Sequence, residues 1–523
     1  MALVTATEGY GTARAVKGAE AFLGGPSLII SERQTLRHMN ASRQDGGQGV
    51  RPIQFGTSGW RDIIAENFTF ANVRLVTRAI AEYLVAEGRP GSGVVVGYDT
   101  RFLSEAFAAD AAAVLAAHGV RVFLCDRDVP TPVVAYEVVR RGAAAGLNVT
   151  ASHNPPEYNG LKLSDSSGGP AQPAVTDRIE TQVRELAREP EAPCPTLQEM
   201  ETKGLVVRID PRPAYLARLR ELVDFKAIAA AHLKVAVDLF FGTARGYLDQ
   251  ALREAGCDVH LLHDSRNPAF GGHAPDPSEE NLQDLAMAVR FGGCDLGLAT
   301  DGDADRYGIL DKDGSFIEPN YILALLLRHL IKTRGWRGGV ARSVATSHLV
   351  DAVARHLGVP LYETKVGFKY LGQLITQEKV VLSGEESAGL SIQGHVPEKD
   401  GVLATLLVTE MVAMADGKSV RGLLEALYAE VGTVIHARRL NFRLSPQQQE
   451  RLATRLKSLP AQVAGLRVVQ VGTLEGTKLL LEDGSWLLLR PSGTEPVVRL
   501  YMDAHSEEQL DELTMAARAL LGV

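Results

Sequence analysis

VVVGYDTRFLSEAFAADAAAVLAAHGVRVFLC, residues 94–125, settles the fold class. An apolar run, Val94 to Tyr98, ends in Asp99, Thr100 and Arg101. An alanine-rich stretch of helical character follows through Gly119, and a second apolar run closes at Cys125. Apolar runs without alternation suit strands covered on both faces, and a helix between two of them is the crossover of a parallel pair. The pattern returns as LKVAVDLFFG (233–242), a helix through Gly256, and CDVHLL (257–262). It returns again as GGVARSVATS (338–347), HLVDAVARHLG (348–358) and VPLYET (359–364). Spacings of roughly 110–140 residues are too long for a solenoid repeat and predict three similar mixed α/β domains in series.

The last ~90 residues are of another kind, with strands over TVIHARRLNFRL, LRVVQVGTL, TKLLLEDGSWLLLRP and VVRLYMDA. Asp483-Gly484 signals a hairpin, and Ser506 with Gln509 signals a capped final helix. This is an α+β domain. The expected divisions are a disordered leader over 1–50, then domains at 51–195, 196–315, 316–432 and 433–523. Linkers are expected at 188–198 and about 417–434.

Bulk composition excludes several classes. The chain has 523 residues, 45% hydrophobic and 23% charged, with a net charge of −8. It offers no global basic field for nucleic acid or an anionic membrane, and no apolar run of membrane-spanning length. Four cysteines without a CxxC pair fit a reduced, cytoplasmic protein rather than a zinc site.

Four short loops carry the chemistry. TASHNPPEYNGLK (150–162) puts Ser152 after a small-residue strand, in a turn stiffened by Pro155 and Pro156, placed for a nucleophile or phosphate carrier. A Ser/His hydrolase is disfavoured: adjacent side chains usually point apart, and the GxSxG elbow is absent. DGDADR (301–306) alternates Asp301, Asp303 and Asp305, a set for a hard cation such as Mg²⁺. GEESAG (384–389) brackets Glu385, Glu386 and Ser387 with glycines, suited to sugar hydroxyls. RPSGTEP (490–496) brings Arg490, Ser492, Gly493 and Thr494 to one spot that suits a phosphate, with Arg499 on the next strand. Arg61, in GTSGWR (56–61), is a candidate phosphate contact. Asp99 and Arg101 are equally readable as a structural ion pair or a functional one.

In order and spacing these loops resemble the α-D-phosphohexomutases, the phosphoglucomutase and phosphomannomutase enzymes, over about residues 52–523. The resemblance implies a heart-shaped molecule with a central cleft, three α/β domains and a TATA-binding-protein-like fourth. It implies that Ser152 carries a phosphoryl group, and that Asp301, Asp303, Asp305 and a phosphate oxygen on Ser152 hold Mg²⁺. His153 and Lys162 would serve proton transfer, and Arg306 would sit beside the moving phosphate. Glu385 and Ser387 would read the sugar. Lys369 (in KVGFKYLG, 365–372), Arg490, Ser492, Gly493 and Thr494 would hold phosphate. Glucose 1,6-bisphosphate would be intermediate and activator. The expected reaction interconverts glucose 1-phosphate and glucose 6-phosphate, with mannose phosphate or dual specificity as the alternative. A non-catalytic sugar-phosphate-binding homologue and a Mg²⁺-dependent phosphatase are the readings from other classes. Partners are expected to be small sugar phosphates, and the protein a monomer or dimer.

Overall fold

The computed structural model describes residues 52–190, 194–491 and 497–522. The leader expected over 1–50 lies outside them.

In the first unit the strands lie in the order Trp60–Ile63, Tyr158–Ser164, Ala145–Val149, Val94–Tyr98, Val122–Cys125, Val206–Ile209. The last four are parallel neighbours, and Ala145–Val149 then pairs antiparallel with Tyr158–Ser164. The strand Val206–Ile209 belongs to this sheet, so the sheet extends past the boundary expected at 195/196. The second unit repeats the plan. Lys234–Asp238 lies between parallel Asp258–Leu262 and Leu296–Thr300, and the latter turns back into Tyr307–Asp311. The third has Gly339–Ser343 between Leu361–Thr364 and Val380–Glu385, which turns back into Gly389–Ile392. The crossovers of the 94–125 pattern are therefore present. What that pattern does not reveal is the antiparallel hairpin within each unit.

The fourth unit is an antiparallel sheet ordered His436–Arg443, Val497–Ala504, Trp486–Pro491, Thr477–Leu481, Leu466–Gly472, Gln462–Val463. Two helices, Pro446–Arg455 and Glu507–Leu521, cover one face. Ser506 caps the final helix through its hydroxyl and Gln509 N–H, but the Gln509 side chain reaches back to His505 N–H instead of Ser506. The stretch 417–434, expected as a linker, is mostly the helix Val420–Val431, capped by Ser419 and closed by Gly432 at φ 73°.

One core runs through the first three units, from Val95 to Ile435. Its centre is the helix Gly401–Ala413, buried along nearly its whole length. Such a helix has no polar face to offer water and must be enclosed. It packs on both strands of the second unit's hairpin. Gly401 allows this: a Cβ there would meet Arg306 O at 2.2 Å. The fourth unit has its own core and touches the third through Trp486, Leu488 and Tyr501 against Val344 and Ala345.

Candidate active site

Three of the functional loops are the turns of hairpins at the same place in the three α/β units. Ser152 lies between Ala145–Val149 and Tyr158–Ser164, and the aspartates between Leu296–Thr300 and Tyr307–Asp311. GEESAG joins Val380–Glu385 to Gly389–Ile392, and RPSGTEP joins Trp486–Pro491 to Val497–Ala504. Loops beyond the carboxyl ends of parallel strands are where α/β sheets bind ligands.

Ser152 is buried in the left-handed region at φ 53°. Its N–H donates to Thr150 Oγ1 at 2.9 Å, and its Oγ donates to Asp301 Oδ2 at 2.7 Å. The same backbone twist brings His153 Nδ1 to 3.4 Å from Ser152 Oγ, against the expectation that these neighbours point apart. Burial, helped by the guanidinium groups of Arg306 and Arg61, holds the His153 imidazole far below its usual range and therefore neutral. Arg61 donates to Asn154 Oδ1 at 2.8 Å within the same loop.

The aspartate loop abuts the serine loop closely enough that a Cβ on Gly302 would come 2.9 Å from Ser152 O. Asp301, Asp303 and Asp305 are buried, with one carboxylate oxygen from each lying within 4.8 Å of the others. Asp301 Oδ1 accepts from the N–H groups of Asp305 (2.9 Å) and Arg306 (3.0 Å). Asp303 Oδ2 accepts from Thr131 Oγ1 and, at 2.5 Å, from Lys162 Nζ. Asp305 Oδ2 accepts from Lys162 Nζ at 2.5 Å and lies 2.9 Å from Lys399 Nζ. The other oxygens, Asp303 Oδ1 and Asp305 Oδ1, are buried with no hydrogen-bond partner. Orphaned carboxylate oxygens in an all-oxygen set fit a hard divalent cation. Burial and the two neighbouring carboxylates push Asp301 well up. Burial also acts against Asp305, but Lys162 and Lys399 outweigh it and hold that carboxyl down. Both directions are those of the metal-free cluster; a bound divalent cation would favour the ionised form of all three.

A cavity of about 460 Å³ opens beside this cluster and is lined from all four units. His153 and Arg306 contribute from the first two, Glu386 and Ser387 from the third, and Arg439 and Tyr501 from the fourth. Arg306 Nε is buried without a hydrogen-bond partner. Glu386 is fixed on the wall by Ser343 Oγ (2.8 Å) and Thr346 Oγ1 (3.3 Å). Glu385 lies behind it, accepting from Gly367 N–H at 2.7 Å, and burial beside Glu386 raises its carboxyl to about 7. Lys369 lines a separate, smaller pocket with the Gly56–Gly59 loop and Lys162. Arg490 and Arg499 are register partners on adjacent strands, and Arg490 Nε is tied to Glu475 Oε1 at 2.5 Å. Ser492, Gly493 and Thr494 lie outside the described residues.

Two participants escaped the sequence reading, and a third was weighed there without a role being assigned. Thr131 opens the helix Thr131–Arg141, and there Thr-Pro reads only as a helix start. Lys399 precedes Asp400, which caps the helix Gly401–Ala413, so the local pattern reads as a cap. Arg101, left undecided, donates to four carbonyl oxygens of the serine loop.

The chain matches the phosphoglucomutase/phosphomannomutase α/β/α domains I, II and III over residues 52–189, 213–314 and 318–431, and the C-terminal domain over 449–520. It is 33% identical over 466 residues to a "Probable phosphoglucosamine mutase" of Methanothermobacter thermautotrophicus, covering 88% of this chain and 95% of that one. It is 32% identical over 463 residues to a phosphoglucomutase/phosphomannomutase of Thermococcus kodakarensis, covering 88% and 96%. The solved structure of a "putative phosphomannomutase" from Thermus thermophilus superposes with a TM-score of 0.79 at 33% identity, covering 91% of this chain and all of that one. The matches run through the four domains in order and cover nearly the whole of each relative. The chain therefore belongs to the phosphoglucomutase/phosphomannomutase family of the α-D-phosphohexomutase superfamily, and is an enzyme of the isomerase class.

Proposed function

We propose that this mutase interconverts glucose 1-phosphate and glucose 6-phosphate, with Ser152 as the phosphoryl carrier and Mg²⁺ at Asp301, Asp303 and Asp305. The observation that carries the reading is the contact between Ser152 Oγ and Asp301 Oδ2 at 2.7 Å, beside two orphaned carboxylate oxygens. Bound Mg²⁺ would offset charge on the phosphoryl oxygens.

Phosphoryl transfer depends more on positioning and charge neutralisation than on covalent assistance. Phosphoserine gives its phosphoryl group to the free hydroxyl of the sugar monophosphate: the Oγ–P bond breaks, a sugar O–P bond forms, and the product is the 1,6-bisphosphate. His153, on the cavity wall, is the group placed to take the departing hydroxyl proton. Arg306, whose Nε has no hydrogen-bond partner, receives the phosphoryl oxygens. The bisphosphate then turns around and returns its other phosphate to Ser152. Glu386 and Ser387, backed by Glu385, hold sugar hydroxyls in either orientation, and Lys369, Arg490, Arg499 and the loop 492–494 hold the idle phosphate.

The glucose assignment rests on the GEESAG loop, which resembles that of glucose-type members of the family more than the GEMSGH or GExSGH loop of dual-specificity and glucosamine members. The relatives' names spread over glucose, mannose and glucosamine, and epimers differing at C2 are separated only by a placed hydrogen bond. A coupled assay with Mg²⁺ and a trace of glucose 1,6-bisphosphate, comparing kcat/KM for the three sugar 1-phosphates, tests it. A clear lead for glucose 1-phosphate is expected. Equal rates with mannose 1-phosphate would make the enzyme dual, and a lead for glucosamine 1-phosphate would replace the assignment. Intact-mass analysis should show one phosphate on wild type and none on Ser152→Ala, with turnover nearly abolished in the variant.

A further inference from the structure

The serine hairpin is organised around one fully buried side chain, that of Arg101. Arg101 Nη2 donates to Ser152 O at 2.7 Å and Asn154 O at 2.6 Å. Its Nη1 donates to Pro155 O at 2.7 Å and Tyr158 O at 3.0 Å. Its Nε donates to Asp99 Oδ2 at 3.1 Å. Asp99 is held in turn by Ser104 Oγ (2.7 Å) and Thr150 Oγ1 (2.6 Å), and Thr150 Oγ1 receives Ser152 N–H. The Phe270 ring of the second unit lies 5.0 Å from the guanidinium carbon.

A guanidinium has a rigid planar fork of donors, whereas an ammonium has three around a point. Only the fork can serve four carbonyls spread over seven residues of one loop. Removing the fork takes a donor from each of these carbonyls, of which Pro155 O keeps the Tyr158 N–H at 3.1 Å. The left-handed backbone of Ser152 is also unfavourable for a non-glycine residue, and persists only because its surroundings over-determine it. That conformation is what aims Oγ at Asp301 and brings His153 alongside.

We propose that Arg101 is a positioning residue for phosphoryl transfer. Through the main chain of residues 152–158 it fixes the direction of Ser152 Oγ without touching substrate. The inference rests on Ser152 being the phosphoryl carrier. A purely structural Arg101 would set the melting temperature and leave the chemical step alone. A positioning Arg101 sets kcat and the rate at which Ser152 is phosphorylated, and leaves KM nearly unchanged.

The test uses the full chain as wild type, Arg101→Lys and Ser104→Ala, assayed well below each protein's thermal midpoint. Steady-state kcat and KM for glucose 1-phosphate are measured, with the rate of phosphate uptake on Ser152 from glucose 1,6-bisphosphate followed by intact mass. Misplacing a reacting atom by ~1 Å costs about 10²-fold. Arg101→Lys should therefore lose roughly 100-fold in kcat and in uptake rate, with KM within about threefold. Ser104→Ala, which removes one brace on Asp99, should lose about three- to tenfold in the same two rates. Arg101→Lys with wild-type kcat, or with its loss confined to KM, overturns the inference. If Arg101→Lys fails to fold, Ser104→Ala decides, and wild-type rates in that variant overturn the inference. Wild type that takes no phosphate on Ser152 overturns the carrier reading and the inference together. Wild type that does, beside an equally fast Arg101→Lys, overturns the inference alone.

Discussion

Ser152 and the three aspartates show how chemistry concentrates where several elements over-determine one residue. Asp303 is gripped on a single oxygen by Thr131 from the first unit and by Lys162, which leaves Oδ1 without a hydrogen-bond partner. Asp303→Asn keeps the shape but removes the charge that both Lys162 and a divalent cation need. The Mg²⁺ concentration for half-maximal activity should rise by at least about tenfold, and calorimetric Mg²⁺ affinity should fall in parallel; an unchanged titration would remove Asp303 from the metal site. At this scale the sequence was readable wherever a side chain acts through its own charge or hydroxyl, as in the alternating aspartates. It was opaque where the partner is main chain. Nothing in the letters Asp-Thr-Arg says that Arg101 reaches carbonyls fifty residues on, nor that Thr131 braces an aspartate of another unit.

At the scale of elements, the repeated strand–helix–strand pattern was legible because unbroken apolar runs leave few alternatives for strands covered on both faces. The hairpins were not, since their second strands, YNGLKLS, YGILD and GLSI, carry no unbroken apolar run like those that marked the others. The helix Val420–Val431 was missed because glycines stand within it and at both ends, which is loop composition by any local rule. The pairing of Arg490 with Arg499 across two strands places two guanidinium-bearing residues side by side at the mouth of the RPSGTEP turn. The carboxylate that ties Arg490 is Glu475, and its second oxygen already accepts from Val366 N–H at 2.7 Å. Two cations drawn together at one turn suit an anion. Arg490→Ala should raise KM for the sugar phosphate by about 10- to 100-fold while kcat changes less. Steady-state kinetics check it, and a loss confined to kcat would move Arg490 from binding to chemistry.

For the whole molecule, the third and fourth units meet over a patch that is polar as well as apolar. Lys478 Nζ donates to Val344 O at 2.9 Å and to His348 Nε2 at 3.0 Å, and lies 3.9 Å from the centre of the Trp486 ring. Asp503 Oδ2 collects donors from Ser347, His348 and Trp486. Burial, reinforced by Arg342, pushes Lys478 down to about 8, and burial with Lys478 beside it pushes His348 down to about 2. An unfolded lysine titrates near about 10.4. Between those values the unfolded chain holds a proton that the folded chain has shed, so this residue makes stability rise with pH across the window, by up to about 3 kcal/mol. Thermal midpoints of wild type and Lys478→Met from pH 7.5 to 10.5 should diverge accordingly, with the variant lacking that rise; parallel curves would show that the ammonium is not disfavoured there. Domain count and the change of character in the last unit were legible from composition, but this junction was not, because its residues come from segments more than a hundred positions apart.

The helix Gly401–Ala413 belongs in sequence to the third unit yet encloses strands of the second. On the ribosome the hairpin Leu296–Asp311 emerges about a hundred residues before the helix that covers it. At ~5–20 residues per second that leaves an apolar sheet face bare for roughly 5–20 seconds. The second unit cannot complete itself as it is made and must wait for its neighbour. The interval when this chain most needs a chaperone therefore falls in mid-synthesis, not after release.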